Sequence, residues 1–407
     1  MSKRYPYGFI STFYNPLKNP NAPTIGAATG DDASASVPFT APADVGGSAI
    51  TEYNARSTPG DVTASAAASP ISVTGLTNGT SYTFKVWAIN TYGAGLLSAA
   101  SNSITPAPFL AIFGGGAISG GGNSNITTVH QVNINTLGNS TSFGNLNNEV
   151  RNLGALGNSS RAVFFGGHTT TDTTAAINVI EFLSMTSGGS ATDFGDMSDR
   201  GGFGSGTANS TRGIFNVGDR GAGLTNAINY ITIASTGNAS TFGELSLRRS
   251  QNNWVASSTR AVSSGGGSVG SDNTIDYVTI ATTGNAIDFG DMYVTINSQM
   301  AHGSVCSSTR GIFSGGYATG VETNVIQYIT IATAGNTTDF GDLTATRVRQ
   351  SSASSTVRGL FAAGVSSTVK NNIDYVTIAT TGNAADFGDM SFNCDQANGC
   401  SNCHGGL

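Results

Sequence analysis

Charge is scarce in this chain of 407 residues: 18 Lys or Arg and 24 Asp or Glu make up 10% of it, against about 25% in average soluble proteins. Exposed helix faces are normally filled with Glu, Lys and Arg, so a mainly helical fold is excluded. Net charge is −6, and the longest basic cluster is the Lys3-Arg4 pair. Nothing here neutralises a run of phosphates, so nucleic acid is not expected as a partner. Long apolar runs are also missing. The longest, Pro108 to Phe113, falls far short of the roughly 20 residues that span a bilayer, and no membrane insertion is expected. The N-terminus begins with Lys3-Arg4 but is broken by Pro6, Gly8 and Asn15 before an apolar core can form, so export by the general secretory route is not indicated.

Histidine and cysteine are equally sparse, with four of each. His130, His168, His302 and His404 stand at unrelated places, and no paired carboxylates, Ser-His-Asp arrangement or nucleotide loop accompanies them. No enzyme is expected, and no catalytic, cofactor-binding or metal residue is assigned. What fills the chain instead is 55 Gly with abundant Ser, Thr and Asn, together with 20 Phe and 12 Tyr. That is the vocabulary of strands and turns, and the aromatics argue against disorder. The fold class predicted is all-β.

Residues 1–21 carry Tyr5, Tyr7, Phe9, Phe13 and Tyr14 among Pro6, Pro16 and Pro20 with no sustained period; they read as an extended arm that docks on a partner. Residues 22–106 consist of short alternating segments separated by Gly, Pro, Asn and Asp, among them Ile50-Thr51-Glu52-Tyr53-Asn54-Ala55 and Tyr82-Thr83-Phe84-Lys85-Val86-Trp87-Ala88-Ile89-Asn90. Such spacing predicts an antiparallel sandwich. The segment Leu76 to Gly95, with Gly46-Gly47-Ser48-Ala49-Ile50-Thr51-Glu52-Tyr53 before it, resembles a fibronectin type III domain. The resemblance implies that Tyr82 is its tyrosine corner and that Phe39 stands where the family usually has Trp. Such modules generally act as spacers.

After the stiff Pro106-Ala107-Pro108 linker, Phe-Gly recurs at Phe143, Phe194, Phe242, Phe289, Phe340 and Phe387, at intervals of 47 to 51 residues. A period near 50 predicts a propeller. Each unit reads as an arginine-led apolar strand (Arg310-Gly311-Ile312-Phe313), a β-branched strand (Val325-Ile326-Gln327-Tyr328-Ile329), a Gly-Asn turn (Gly335-Asn336), a short Asp339-Phe340-Gly341-Asp342 strand and a small-residue stretch (Ser351-Ser352-Ala353-Ser354-Ser355) that completes four strands. Six units predict six blades over residues 107–407. Aligning Cys400-Ser401-Asn402-Cys403 with Cys306-Ser307-Ser308-Thr309 places the end of the sequence where a seventh arginine-led strand would begin, so the last blade is expected beside the first. The units resemble kelch repeats.

Four Asp-Phe-Gly copies match the metal-binding tripeptide of protein kinases, but a periodic motif cannot be four kinase sites and no phosphate loop or His-Arg-Asp goes with it. Phe is read as core between blades, Asp as a turn former or a partner of the repeated arginines. Arg161, Arg212, Arg260, Arg310 and Arg358 recur once per unit; a residue demanded by every repeat is expected to bond the neighbouring blade's carboxylate or carbonyl, the other use being a ring that binds an anion. Cys400-Ser401-Asn402-Cys403-His404 matches the haem-attachment pattern, without an evident second ligand. Cys394, Cys400, Cys403 and His404 leave a disulfide, a zinc site or neither open. Calcium at Asp172, Asp219 and Asp272 has no spaced ligand motif behind it.

The opening Met1-Ser2-Lys3-Arg4-Tyr5 leading to Tyr14-Asn15-Pro16-Leu17, followed by a fibronectin-like domain and Asp-Phe-Gly-Asp repeats, resembles structural proteins of tailed bacteriophages, notably those infecting marine cyanobacteria. The resemblance implies a non-enzymatic virion protein present in many copies, assembled in the host cytoplasm and exposed on the particle. Residues 1–21 would attach it to other virion proteins, and the propeller would meet host-surface glycan through loops such as His168 to Asp172 and Tyr317 to Val321, the segments that vary most between units. The alternatives are a purely structural decoration that binds other virion subunits and an extracellular glycan-active enzyme.

Overall fold

The computed structural model describes residues 17–118, 124–221, 223–268, 270–271, 273–294, 303–318 and 320–407. Among them the chain is all-β: strands joined by turns, one single-turn 3-10 helix at Thr173–Ala175 and no α-helix. Among the described residues no helix is long and apolar enough to cross a membrane. The chain divides after Pro108 into two compact units.

Besides the two-residue pair of Thr24–Ile25 with Phe39–Thr40, the first unit contains two larger antiparallel sheets. One has the order Thr29–Asp31, Ser34–Val37, Ile71–Thr74, and the other Thr63–Ala66, Ile50–Thr58, Thr83–Asn90, Gly93–Ala94. The alternation legible in the sequence decides which side chains are inside: Phe84, Val86 and Ala88 are buried while Lys85 is exposed, because successive strand residues face opposite sides. They meet Val37, Ala55, Ile71 and Val73 in one core. Phe39 packs on Tyr53 at 4.5 Å between ring centroids. The Tyr82 hydroxyl accepts the Thr77 backbone N–H at 3.1 Å. Residues 1–16 of the arm lie outside the described residues. Its remaining stretch is stitched to this unit: Lys18 N–H donates to Gly46 O, Asn21 N–H to Asp44 O, the Lys18 ammonium meets Asp44 at 2.7 Å and Pro20 is buried. These residues are therefore part of the unit.

The second unit is built of four-stranded antiparallel runs. The last is Ser351–Ser354, Arg358–Ala362, Asn372–Thr377, Ala385–Asp389, and the same order holds for runs opening with Gly154–Gly157, Ser205–Ala208, Asn253–Ala256 and Gly303–Cys306. In the remaining run Asn398–Ser401, from the C-terminus, pairs antiparallel with Leu110–Gly114, which is followed by Ser124–Asn133 and Thr141–Val150. A two-residue parallel contact, Gly144 with Gly189 and Asn145 with Ser190, joins this run to the next. The grouping of strands differs from the expected one. The small-residue stretch pairs with the arginine-led strand that follows it, so a run begins at that stretch and ends at Asp-Phe-Gly-Asp. The end of the chain supplies the inner strand of the first run, and Ser401, one residue later than the sequence alignment placed it, takes the position of Cys306.

The inner strands adjoin one another in chain order, and Ser351–Ser354 adjoins Asn398–Ser401, which in turn adjoins Gly154–Gly157. Small residues are needed there because neighbouring backbones are close. Ser304 N–H donates to Ser352 Oγ at 2.9 Å, Cys306 N–H to Ser354 Oγ at 3.1 Å and Ser401 Oγ to Ser354 O. A Cβ on Gly399 would stand 2.6 Å from the Phe113 ring.

The Phe-Gly pair is a bulge: Ile275 faces Gly290 and Asp276 faces Asp288, so Phe289 is the extra residue. The bulge turns Phe194, Phe242, Phe289, Phe340 and Phe387 into the core, each 2 or 3% exposed. Gly341 has φ +146°, and a Cβ there would lie 2.5 Å from the carbonyl oxygen of Gly382 in the next run's Gly-Asn turn. That turn is the clasp between runs. Gly382 N–H donates to Phe340 O and Gly335 N–H to Phe289 O, while Asn383 Oδ1 accepts the Asp342 N–H at 3.0 Å. The same bonds cross the seam between last and first runs: Gly138 N–H to Phe387 O and Asp389 N–H to Asn139 Oδ1.

Candidate functional site

The repeated arginines are joints between runs. The Nη1 of Arg161, Arg212, Arg260, Arg310 and Arg358 donates to the carbonyls of Ile233, Ile280, Ile331, Ile378 and Ile134 in the following run, at 2.6 to 2.9 Å. Each guanidinium lies 4.2 to 4.7 Å from the ring centre of the aromatic beside it, from Phe182 to Tyr375. A guanidinium stacked and bonded in this way is occupied. The leading Asp of the tripeptide, Asp193, Asp288, Asp339 and Asp386, is exposed on the outer strand and does not meet these arginines.

A second joint has no counterpart in the sequence reading. One position of the third strand holds a buried polar residue in every run: His130, Glu181, Asn229, Asp276, Gln327 and Asp374, all at most 5% exposed. Each receives the chain leaving the preceding run. Glu181 Oε2 accepts the Asn147 N–H at 2.8 Å, Asn229 Oδ1 the Ser198 hydroxyl, Asp276 the Ser246 hydroxyl, Gln327 Oε1 the Val294 N–H and Asp374 the Thr344 N–H, while Ser391 Oγ meets His130 Nδ1 at 3.3 Å. Asp276 and Asp374 also pair with fully buried Arg249 and Arg347, at 2.7 and 2.9 Å. Burial pushes the Glu181 carboxyl up and the His130 imidazole down. The available signal was a polar residue between Ile and an aromatic in five of the six strands, from Glu181 to Asp374; the first has Val129-His130-Gln131 instead.

The C-terminal cysteines separate. Cys394 pairs with Ile118 in a short strand, Cys400 lies in the closing strand and Cys403 follows it; all four cysteines are free thiols. Burial pushes Cys394 and Cys400 up to about 12, which disfavours the thiolate that metal ligation and disulfide exchange need. The two His404 ring nitrogens are both used. Nε2 lies 2.8 Å from Gly157 O, and Gly406 N–H donates to Nδ1 at 3.1 Å. These contacts define a neutral imidazole whose Nε2–H donates, and burial lowers its pKa. Among the described residues no three of His, Cys, Asp and Glu gather as a metal site. Asp172 caps the 3-10 turn by accepting Thr174 N–H, Asp219 caps its own loop through Gly221 N–H, and Asp272 and His302 lie outside the described residues.

The inner strands surround a narrow axis with a cavity of about 50 Å³, room for a few waters and too little for a sugar ring. The tail Cys403 to Leu407 covers one end: besides the His404 bond to Gly157, Gly405 N–H donates to Cys306 O, and Gly406 lies so close to Ala208 that a Cβ would strike its carbonyl. Among the described residues the other end carries a rim in place of a tail. Its rim is formed by the residues leading into the inner strands, Asn152, Phe203, Gln251, Arg349 and Gln396, all with φ between +55° and +58°. Just inside lie Asn252 and Gln350, 1% and 4% exposed. The variable loops share this face, since Arg151 bridges to His168, Gly202 to Asp219, Ser250 to Gly267 and Val348 to Val365. No family model matches the chain, and no curated protein matches it in sequence.

Proposed function

We propose that the first unit is a fibronectin type III-like sandwich, that the second is a closed six-bladed propeller of the kelch kind, and that the protein is a non-enzymatic structural protein of a tailed-phage virion that displays the propeller to host-surface glycan. The Tyr82 to Thr77 bond supports the first assignment. The second is supported by inner strands that adjoin in a cycle and by a seam carrying the same Gly-Asn clasp and Arg joint as four of the other five interfaces, the first and second runs being joined by the Gly144–Gly189 contact instead.

The observation that carries the function is the asymmetry of the axis: one end is covered by the chain's own tail, and the other is surrounded by the loops that differ most between repeats. Specificity belongs on loops held by a rigid scaffold. The carboxylates at the third-strand position, Glu181, Asp276 and Asp374, are spent on joints, and the described lining of that end holds amides, an aromatic and a guanidinium without a carboxylate, whereas glycoside hydrolysis needs two. Residues ahead of Leu17 would join the protein to other virion subunits, with many copies converting weak contacts into avidity.

The test is binding of fluorescent full-length protein to host cells and to cells stripped of surface polysaccharide. Saturable binding lost on stripping is expected. Absence of cell binding, with the protein still joining particles that lack it, replaces adhesion by a decoration role on the virion.

A further inference from the structure

The tail that covers one end of the axis is anchored by a single titratable side chain. His404 is 8% exposed, with Nε2 bonded to Gly157 O at 2.8 Å and Nδ1 accepting the Gly406 N–H at 3.1 Å. The other buried tail residues, Gly405 and Gly406, have no side chain to hold with, and a Cβ on either would strike the backbone of Ser307 or Ala208. The bond to Gly406 needs a lone pair on Nδ1, so only the neutral imidazole makes it. A proton added there sets one donor against another.

No carboxylate stands ready to compensate the charge. None of the six inner strands contains Asp or Glu, and neither do the five turns that leave them at this end, from Asn158-Ser159-Ser160 to Ser355-Thr356-Val357. Those turns lead into the strands opened by Arg161 to Arg358, so the fixed charge at this end is positive and disfavours a further cation. The titratable side chains that share the 50 Å³ cavity with His404 are the thiols of Cys306 and Cys400. Burial keeps both neutral, raising Cys306 and pushing Cys400 up to about 12. A buried imidazolium without a partner is costly, and leaving the cavity relieves it.

We propose that Cys403 to Leu407 is a proton-released latch, which closes this end of the axis while His404 is neutral and detaches when the imidazole is protonated, leaving the ring of runs intact. Release uncovers the cavity and the Cys306 and Cys400 thiols that line it. The latch stands independently of the adhesion reading.

The experiment is labelling of the full-length protein with dithiodipyridine across neutral and mildly acidic pH, each cysteine being followed by peptide mass spectrometry. Every rate is compared with that of a chain lacking residues 403–407 at the same pH, which cancels the pH dependence of the reagent. At neutral pH, Cys306 and Cys400 should react about thirtyfold more slowly in the parent, the equivalent of two hydrogen bonds of about 1 kcal/mol each. The folded pKa of His404 is lowered from 6.5, so this protection is present above pH 6.5 and is lost as pH falls below it. Cys394, buried in a short strand paired with Ile118, should stay protected throughout and reports that the ring remains closed. His404→Ala should match the truncated chain at every pH. Equal rates in parent and truncated chain at neutral pH overturn the cover itself. Protection that does not change with pH, or that persists in His404→Ala, overturns release by the proton, and Cys394 reacting in step with Cys306 and Cys400 overturns it as well, because the whole ring is then opening.

Discussion

The clasp between runs makes a quantitative demand on Gly341. Its φ of +146° is strained for any residue with a Cβ, and a Cβ there would lie 2.5 Å from Gly382 O and 2.6 Å from its carbonyl carbon. Gly341→Ala therefore incurs about 1–3 kcal/mol of backbone strain and about 1–3 kcal/mol of overpacking against backbone that cannot rotate away. The entropy lost by the unfolded chain offsets up to about 1 kcal/mol of this. The net loss expected is about 1–6 kcal/mol. Gly335, at the tip of the preceding turn, meets nothing within 4 Å, so Gly335→Ala should stay within about 0.5 kcal/mol of the parent. Urea unfolding followed by Trp254, which is buried and bonded to Asn216, measures both in a Trp87→Phe background. Equal midpoints for the two variants would refute the clasp. Gly388 makes the same approach to Gly138 across the seam, so Gly388→Ala must cost as much as Gly341→Ala; a harmless Gly388→Ala would mean that the last and first runs do not close.

Three further outcomes test the joints. Arg347→Ala strands the buried Asp374 carboxylate and should cost about 3–5 kcal/mol in urea unfolding, with much of the loss recovered when Asp374→Asn is added, whereas Arg220→Ala, from the exposed pair with Asp199, should cost at most about 1 kcal/mol. Glu181 has a folded pKa raised above its ordinary 4.5, so the folded state holds its proton more tightly, and the stability this contributes is lost as pH rises above 4.5. Glu181→Gln, which keeps an acceptor for Asn147, should be more stable than the parent at neutral pH and equal to it well below pH 4.5, read from melting temperatures across that range. His404 has a folded pKa lowered from 6.5, so its contribution is present above pH 6.5 and is lost as pH falls below it. Removing residues 403–407 should flatten the loss of stability between pH 7 and pH 5, and an unchanged slope would show that the tail does not cover the axis.

Sequence and structure agree where the constraint is local. Alternation over Thr83–Asn90 decided which face is buried, because a strand has a period of two whatever surrounds it. Phe340 was legible as core from its recurrence alone. The arginines were legible as serving the repeat, but the choice between carboxylate and carbonyl depended on what the next run places opposite Arg310, and the Ile378 carbonyl lies some 68 residues on. The grouping of Ser351–Ser354 was read one strand out of phase because a repeat has no intrinsic starting point; pairing registers decide it, and these are properties of two strands at once. The buried polar position escaped because its residue changes from His130 to Asp374 around the ring while its task stays the same.

Composition, a period of two within strands and a period near 50 between units determined by themselves that this chain is all-β and that its repeats are interchangeable, since these patterns bury apolar faces however the units are arranged. Only the tertiary structure decided that the C-terminus supplies the first run's inner strand, that His404 covers one end of the axis, and that Gln251, Asn252, Gln350 and Gln396 meet at the other. Those residues come from three different runs, and the backbones of Gln251 and Gln396 take a left-handed conformation that no local preference for Gln would select. Their convergence is a consequence of closure.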